Sequence, residues 1–429
     1  MNNFNFSRHF LPEVGLYLYH LPTDKFKTNT LKCIMPLPLE AEKASANALL
    51  PFVLYRGSAE FPESMALIRR LEELFGTDLA VDVRKRGEWQ LIDFTLETVK
   101  NSFLPMKEDI FPAALDILQG IIFDPFLPGG SFKQQYLESE KRTLEEEIIN
   151  LKNNKMEYAL ERCFQEMCQG EPFSIFRYGN RDALQKITGE QLMQHYLEVR
   201  NQAPLYIFFV GNIRAEKIIE WIREKFPARE NIYSLEPNGA FIPNRPEKIV
   251  VEKDIISQGK LNIGFRTGIN RQSPDFATLL VANGLLGGFP HSRLFRKVRE
   301  EQGLAYYIFS RVESTKGLMT VSAGIDGEQL EETLNIIEGE WAKIVNGKIN
   351  SEELSFTKKA LGSQLKIIED DALELIGVEL INAINSLQQN RRELMEQIEK
   401  VEKNDVARVM SEVKKDTLFF LEPEEEEGS

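Results

Sequence analysis

The sequence predicts an α+β protein made of two duplicated halves, each a mostly antiparallel sheet packed with helices. Short segments of alternating apolar and polar residues, typical of strands, are interspersed with longer segments of helical periodicity. A Phe-Pro-x-Ser element begins at Phe61 and again at Phe289, followed by Gly76 after 15 residues and by Gly303 after 14. Agreement in both order and spacing indicates an internal repeat.

The first half opens with strands and continues with helices. Alternation predicts strands at 15–21, 28–35, 79–83, 89–96 and 205–210. Helical periodicity predicts helices at 44–55, 64–75, 110–123, from 132 past 166 with a break, and 188–199. The helix at 110–123 should stop at Asp124, because the following Pro125 disfavours helical geometry in the residue before it.

The second half repeats this order after a proline-rich stretch without periodicity. Strands are predicted at 249–253 and 261–266, as a pair across 317–323, and at 417–421; helices are predicted at 276–286, 292–302, 329–345, 351–386 and 404–413. We therefore expect an N-terminal domain at 1–228, a linker at 229–247, a C-terminal domain at 248–421 and a disordered acidic tail at 422–429.

Composition excludes several classes of function. The 429 residues carry a formal net charge of -14, and an acidic chain lacks the basic surface that nucleic-acid binding needs. No apolar run approaches the roughly 18 residues of a membrane span, and the first residues lack the pattern of a signal peptide, so we expect a cytoplasmic protein. Cys33, Cys163 and Cys168 are too few for a disulfide framework and read as buried free thiols.

The stretch most suggestive of chemistry is GGFPHSRLFRKVREEQGLAY, residues 287–306. A glycine pair opens a basic amphipathic helix, Gly303 ends it, and the chain leaves as a strand. Arg299 and Tyr306, seven residues apart, offer a permanent cation and a hydroxyl donor. Donors fixed where negative charge develops can each contribute about 3 kcal/mol to catalysis. The alternative interpretation is a solvated basic helix face, comprising Arg293, Arg296, Lys297 and Arg299, beside a half-buried Tyr306.

This stretch, SRLFRKVREEQGLAY above all, and residues 171–212 resemble the pitrilysin/insulinase family of metallopeptidases, and the resemblance covers nearly the whole chain. In that family two such domains form half of a clam-shaped chamber. An active peptidase combines a zinc motif in an N-terminal domain with an Arg and a Tyr in a C-terminal domain. The resemblance implies that Arg299 and Tyr306 hold the substrate carbonyl and stabilise the oxyanion. Gly287 and Gly288 stand where processing-peptidase relatives carry a longer substrate-contacting loop, so they form either a substrate contact or a plain turn.

The zinc motif itself is degenerate. The family's His-x-x-Glu-His corresponds, by its spacing from Gly57, to Ala48, Pro51 and Phe52, none of which can ligate a metal or accept a proton. Glu147 matches the third-ligand position, but without histidine partners it reads as a helix surface charge. His195 and Glu198 form an isolated His-x-x-Glu that lacks the second histidine of a zinc site. We expect no cofactor in this chain.

These observations lead to one principal functional hypothesis. The chain is a zinc-less, substrate-binding subunit of a cytoplasmic heterodimeric metallopeptidase, inactive alone, and a zinc-motif paralogue is its partner and carries the zinc. Peptides are the expected substrates. Within the family the chain is most similar to a zinc-less group from Gram-positive bacteria linked to the 5-aminopentanol modification of elongation factor P. The alternative is a non-catalytic peptide-binding or scaffold protein linked to the same modification, and for it both a homodimer and a heterodimer stay open.

Overall fold

A computed structural model describes residues 5–105, 109–229, 232–235, 243 and 245–424. The chain forms two compact units. The first unit comprises Met1–Ile149, Ile175–Glu236 and Asp371–Leu380, and the second comprises Asn150–Ser174, Pro237–Asp370 and Ile381–Ser429. Among the described residues, no helix combines the length and the apolar character that a membrane span requires.

The first unit is built on a six-stranded sheet. Its strands are β1 (Ser7–Leu11), β2 (Leu16–Pro22), β3 (Thr28–Pro38), β4 (Asp78–Arg86), β5 (Trp89–Val99) and β6 (Leu205–Gly211). They lie in the order β1-β2-β6-β3-β5-β4, and every neighbouring pair is antiparallel except β2 and β6. The helices of this half of the sequence are α1 (Ala44–Leu54), α2 (Ser64–Glu73), α3 (Phe111–Phe123), α4 (Gln134–Asn153), α5 (Lys155–Met167), α6 (Arg181–Lys186), α7 (Gly189–Gln202) and α8 (Ala215–Lys225).

The second unit is built on a five-stranded sheet. Its strands are β7 (Lys248–Asp254), β8 (Gly259–Arg266), β9 (Ala305–Glu313), β10 (Leu318–Ile325) and β11 (Lys414–Pro423), in the order β7-β11-β8-β10-β9 with only β7 and β11 parallel. The helices are α9 (Phe276–Asn283), α10 (Leu330–Val345), α11 (Ser351–Ile367), α12 (Ala372–Ile384), α13 (Arg391–Lys400) and α14 (Lys403–Glu412). Two π-helical turns, Gly284–Gly288 and Phe295–Glu301, lie between α9 and β9.

The two sheets share one topology. In each, the first strand pairs in parallel with the last, and the second, fourth and third strands follow; β1 is an additional strand on the edge of the first sheet. This confirms the predicted α+β fold with two duplicated, mostly antiparallel sheets. Each unit also contains a helical segment from the other half of the sequence: α5 lies in the second unit, and Asp371–Leu380, which includes most of α12, lies in the first.

Burial explains the sequence patterns of the strands. All seven residues of β6 and all eight of β10 are buried, and both strands lie inside their sheets, so their sequences are nearly continuous apolar runs. The edge strand β7 instead alternates between partly buried and exposed residues. All three cysteines are buried and free, which confirms that prediction.

Several predicted boundaries need correction. The predicted helix 351–386 is divided, because α11 gives way to a 3₁₀ turn at Ile368–Asp370 before α12 begins. Helices α6, α8 and α13 and strand β1 were not predicted. The strand pair predicted across 317–323 is one strand, β10, and its hairpin partner β9 lies earlier in the chain. Strand β11 runs to Pro423, so the first two residues of the predicted tail belong to the sheet, whereas 425–429 lie outside the described residues.

The described part of the predicted linker is held by hydrogen bonds. Arg229 is buried, and its guanidinium donates to the carbonyl oxygens of Val14, Gly15, Arg200 and Ala203. The Tyr233 hydroxyl donates to the carbonyl oxygen of Pro36 over 2.6 Å. These contacts fix the start of the linker on the first unit; residues 230–231, 236–242 and 244 lie outside the described residues.

Candidate functional site

The glycine pair packs against strand β9. A Cβ atom on Gly287 would lie 2.8 Å from the backbone nitrogen of Ser310, and one on Gly288 would lie 2.9 Å from the side-chain nitrogen of Asn283. Real Cβ atoms do not approach backbone atoms so closely, so Gly287 requires glycine for packing, whereas the Asn283 amide near Gly288 ends a flexible side chain that can move aside. The π-helical turn that contains the pair therefore sits directly on the strand that carries Tyr306.

Arg299 and Tyr306 lie on either side of a sharp change of direction. Gly303 adopts a φ of +65°, a left-handed conformation that favours glycine, and the Leu304 amide donates to the carbonyl oxygen of Val298 over 2.9 Å. Strand β9 then begins at Ala305. The predicted helix stop at Gly303 is confirmed, and both side chains come from backbone that this turn fixes in place.

Both side chains are available to a ligand. Tyr306 is 76% exposed, which is unusual for an aromatic residue in a strand. Arg299 is exposed and rests on the Phe295 ring, with 4.8 Å between its Cζ and the ring centroid. Among the described residues, no carboxylate forms an ion pair with Arg299. Its guanidinium therefore keeps its hydrogen-bond donors for a ligand.

The alternative of a uniformly solvated basic face is wrong for two of its residues. The Arg293 side chain is mostly buried and donates to Glu353 over 2.5 Å and to the carbonyl oxygen of Lys348. Tyr306 is exposed rather than half-buried. Lys297 pairs with Glu301 one turn further along. The basic residues of this stretch thus differ in role, and Arg299 is one that remains open to solvent.

The three residues predicted to replace the zinc motif lie in or against the core. Ala48 is fully buried, Pro51 is buried within helix α1, and Phe52 packs against the same apolar core. None of these side chains carries a donor atom for zinc, so the residues present do not fit the metal that the family motif binds. Among the described residues, no cluster of three or more His, Cys, Asp or Glu side chains could hold a metal ion.

Two glutamates of α4 seven residues apart, Glu140 and Glu147, differ in their surroundings. Glu140 is buried and accepts hydrogen bonds from Arg56, which follows α1 in the chain. Arg56 also donates to the Ser139 hydroxyl over 3.0 Å. Glu147 is exposed, as expected for a surface charge. Arg56 therefore supplies the positive charge that neutralises the buried Glu140 carboxylate of α4.

The isolated His195 and Glu198 line a small cavity that the sequence did not predict. The cavity has a volume of about 140 Å³, and its walls include Lys43 and Tyr233. Lys43 donates to Glu198 over 2.6 Å. Burial lowers the pKa of His195 to about 4, so its ring is neutral at pH 7. The walls come from positions between 37 and 233, which is why no local pattern revealed the cavity.

Comparison with known proteins identifies the family of this chain. The probable inactive metalloprotease YmfF of Bacillus subtilis is 34% identical over 408 residues, which cover 95% of this chain and 96% of the relative. The chain belongs to the pitrilysin/insulinase, or M16, peptidase family. Residues 186–361 match the family described as the peptidase M16 inactive domain. Together with the inactive relative, this match identifies the chain as a zinc-less M16 member.

Two further comparisons agree with this placement. The zinc protease YmxG of Bacillus subtilis is 25% identical over 317 residues, covering 72% of this M16 chain and 75% of the relative. The crystal structure of a conserved protein from Enterococcus faecalis V583 superposes with a TM-score of 0.90 at 28% identity, over 99% of this chain and all of that one. The M16 fold therefore extends over the whole described chain.

Proposed function

We propose that this M16 chain is the zinc-less, substrate-binding subunit of a heterodimeric metallopeptidase and is inactive alone. The supporting observation is a contrast within the chain. The zinc position is filled by buried apolar residues, whereas Arg299 and the 76% exposed Tyr306 remain accessible. A partner paralogue with an intact motif supplies the zinc, and this chain supplies the donors.

The chemistry assigned to this chain is electrostatic. The Arg299 guanidinium and the Tyr306 hydroxyl donate hydrogen bonds to the carbonyl oxygen of a peptide substrate as negative charge develops on it. Donors of this kind contribute about 3 kcal/mol each when they are fixed in advance, and the left-handed turn at Gly303 supplies that fixation. Gly287 and Gly288 belong to the same proposed substrate surface; Gly288 is the less buried of the two.

The proposal also covers the cellular location of the heterodimer, its connection with elongation factor P and its substrate. Three buried free thiols suit a reducing compartment, which supports a cytoplasmic location. The proposed connection with elongation factor P modification rests on the resemblance to the Gram-positive zinc-less group. A peptide substrate follows from membership of a peptidase family.

Complementation tests the proposal directly. The purified chain, a zinc-motif M16 paralogue from the same organism, and their equimolar mixture are assayed for peptide cleavage. We expect activity in the mixture above that of either protein alone, and a loss of about 100-fold on Arg299→Ala or Tyr306→Phe, the equivalent of about 3 kcal/mol. Arg296→Ala and Tyr307→Phe are matched controls, because they change neighbouring residues of the same types.

Two outcomes would contradict the proposal. If Arg299→Ala and Tyr306→Phe leave the activity of the mixture intact while the complex still forms in gel filtration, the chain acts as a scaffold. If elemental analysis finds one equivalent of tightly bound zinc in the purified chain, the zinc-less assignment fails.

A further inference from the structure

We propose that the cavity beside His195 is a binding site for a small neutral molecule that carries a hydroxyl group on an apolar body, such as a phenol. Every residue that lines the cavity belongs to the first unit and to the described part of the chain. Neither Arg299 nor Tyr306 takes part, so the inference does not rest on the proposed function.

The cavity has the size of a small organic ligand. Its walls come from the end of β3, the segment that leads into α1, the C-terminal half of α7 and the start of the linker. Its volume of about 140 Å³ is close to that of a cavity of roughly 150 Å³ that admits benzene. A ligand of about six or seven non-hydrogen atoms therefore fits.

The polar requirement of the cavity centres on His195. Its Nε2 atom is buried and has no hydrogen-bond partner among the described residues. Burial lowers the pKa of His195 to about 4, so the ring is neutral at pH 7. In a neutral imidazole one nitrogen donates and the other accepts. A hydroxyl group can do both, so it satisfies Nε2 in either tautomer and removes the cost of leaving that atom unpaired.

Three other polar side chains in the walls already have partners. The Asn47 amide donates to Gln90 over 2.9 Å. The Tyr233 hydroxyl donates to the carbonyl oxygen of Pro36, and Lys43 donates to Glu198. A ligand does not have to satisfy these groups, so one polar atom placed beside His195 is sufficient.

The apolar walls favour a hydrophobic body for the rest of the ligand. Leu37 and Val199 are buried and line the cavity beside Tyr233, whose hydroxyl is already engaged and which therefore offers its ring. Water satisfies Nε2 but gains nothing from these walls. A phenol uses both, because it removes apolar surface from water while its hydroxyl meets His195.

The charges in the walls disfavour ionised ligands. Glu40 and Glu198 outnumber Lys43, and all three side chains are about half exposed. The resulting negative charge repels a carboxylate. An ammonium group has no acceptor and loses its hydration beside the buried Nε2 atom, which is unfavourable. The ligand is therefore neutral.

Titration with phenol, followed through the histidine ring signals, tests the site. The chain has four histidines, and the His195 Cε1–H signal is assigned by its absence from His195→Gln. We expect phenol to shift this signal saturably with a dissociation constant on the order of 1 mM, typical of so small a ligand. The signals of His9 and His291, which do not line the cavity, should stay in place.

Toluene separates the contribution of the hydroxyl group from that of the apolar body. It has the size of phenol but no donor or acceptor, so it should bind about tenfold more weakly. His195→Phe removes Nε2 but keeps a ring, and it should weaken phenol binding about tenfold in ligand-observed NMR. His9→Phe, the matched control outside the cavity, should leave the affinity unchanged.

Two results would overturn the inference. One is a His195 signal that phenol leaves unchanged up to roughly 10 mM. The other is equal affinity of the wild-type chain for phenol and toluene, because the hydroxyl group would then contribute nothing. The phenol and toluene comparison uses the wild-type chain, so it decides the question even if His195→Phe does not fold. No paralogue or peptide is present, so failure here is separate from failure of complementation.

Discussion

Glu140 and Glu147 lie two helical turns apart on α4, yet their surroundings are opposite. Glu140 is buried with Arg56 as its partner, whereas Glu147 is exposed. In a zinc peptidase of this family, helices α1 and α4 would both face the doubly charged zinc ion. In this chain Ala48, Pro51 and Phe52 are apolar, and the Arg56 guanidinium compensates the buried Glu140.

Replacing Arg56 should therefore destabilise the first unit. Arg56→Met leaves the Glu140 carboxylate buried without its cation, and unpaired buried charges cost several kcal/mol. Because the Arg56 side chain is 33% exposed, we expect a smaller loss, about 1–3 kcal/mol in the free energy of unfolding by urea titration. Glu147→Gln, the control on the same helix, should change it by less than about 0.5 kcal/mol. An Arg56→Met variant as stable as the wild type would show that Glu140 does not depend on this ion pair.

At the residue scale, the sequence predicted what a side chain can do chemically better than it predicted which residues surround that side chain. That Ala48, Pro51 and Phe52 cannot bind zinc follows from side-chain type alone, and their correspondence with the family motif stays a prediction. The burial of Arg293 does not follow from side-chain type, because its partner Glu353 is 60 residues away. The cavity beside His195 escaped notice for the same reason.

At the scale of elements, the two π-helical turns and β9 pack together around the turn at Gly303. Each π turn inserts an extra residue into helical geometry, and such insertions are frequent at functional sites. Periodicity predicted two helices here but not their π geometry; both π turns contact β9, which lies later in the chain. The stop at Gly303 was predictable, since only a left-handed residue allows the chain to reverse there.

Substitution of Gly287 separates packing from substrate contact. Gly287→Ala places a Cβ atom 2.8 Å from the backbone of Ser310, which has little room to move. We expect a loss of about 1–3 kcal/mol in thermal or urea unfolding. Gly339→Ala, in an exposed part of α10 with open space around it, should instead gain up to about 1 kcal/mol. If Gly287→Ala matches the wild type in stability, the close approach to Ser310 is relieved at little cost.

At the scale of the whole molecule, the repeat was predictable and the exchange of helical segments was not. Duplicated order and spacing appear directly in the sequence. The assignment of α5 to the second unit depends on contacts between distant residues: Ala159 and Cys163 pack with Phe419, and Arg162 donates to Glu252. The contiguous domain boundaries drawn from sequence remain a proposal.

A fragment that ends within the linker should expose this dependence. In the fragment 1–235, α5 lacks the sheet that buries Ala159 and Cys163. We expect limited proteolysis to cut the fragment within Lys155–Met167 while the same segment of the intact chain resists, because a helix without its apolar contacts is marginal in water. Residues 181–229 provide the internal control, since they lie within the first unit. Equal resistance of α5 in both proteins would show that this helix does not need the second sheet.

The segment Asp371–Leu380 also sets a limit on the order of events during biosynthesis. It completes the first unit, yet it is translated 135 residues after Glu236, the last residue of that unit in the first half of the sequence. At 5–20 residues per second, the nascent first unit waits roughly 7 to 27 s for its final piece. During that time Arg8 lacks its ion-pair partner Glu379, so the exchange makes completion of the first unit depend on the rate of elongation.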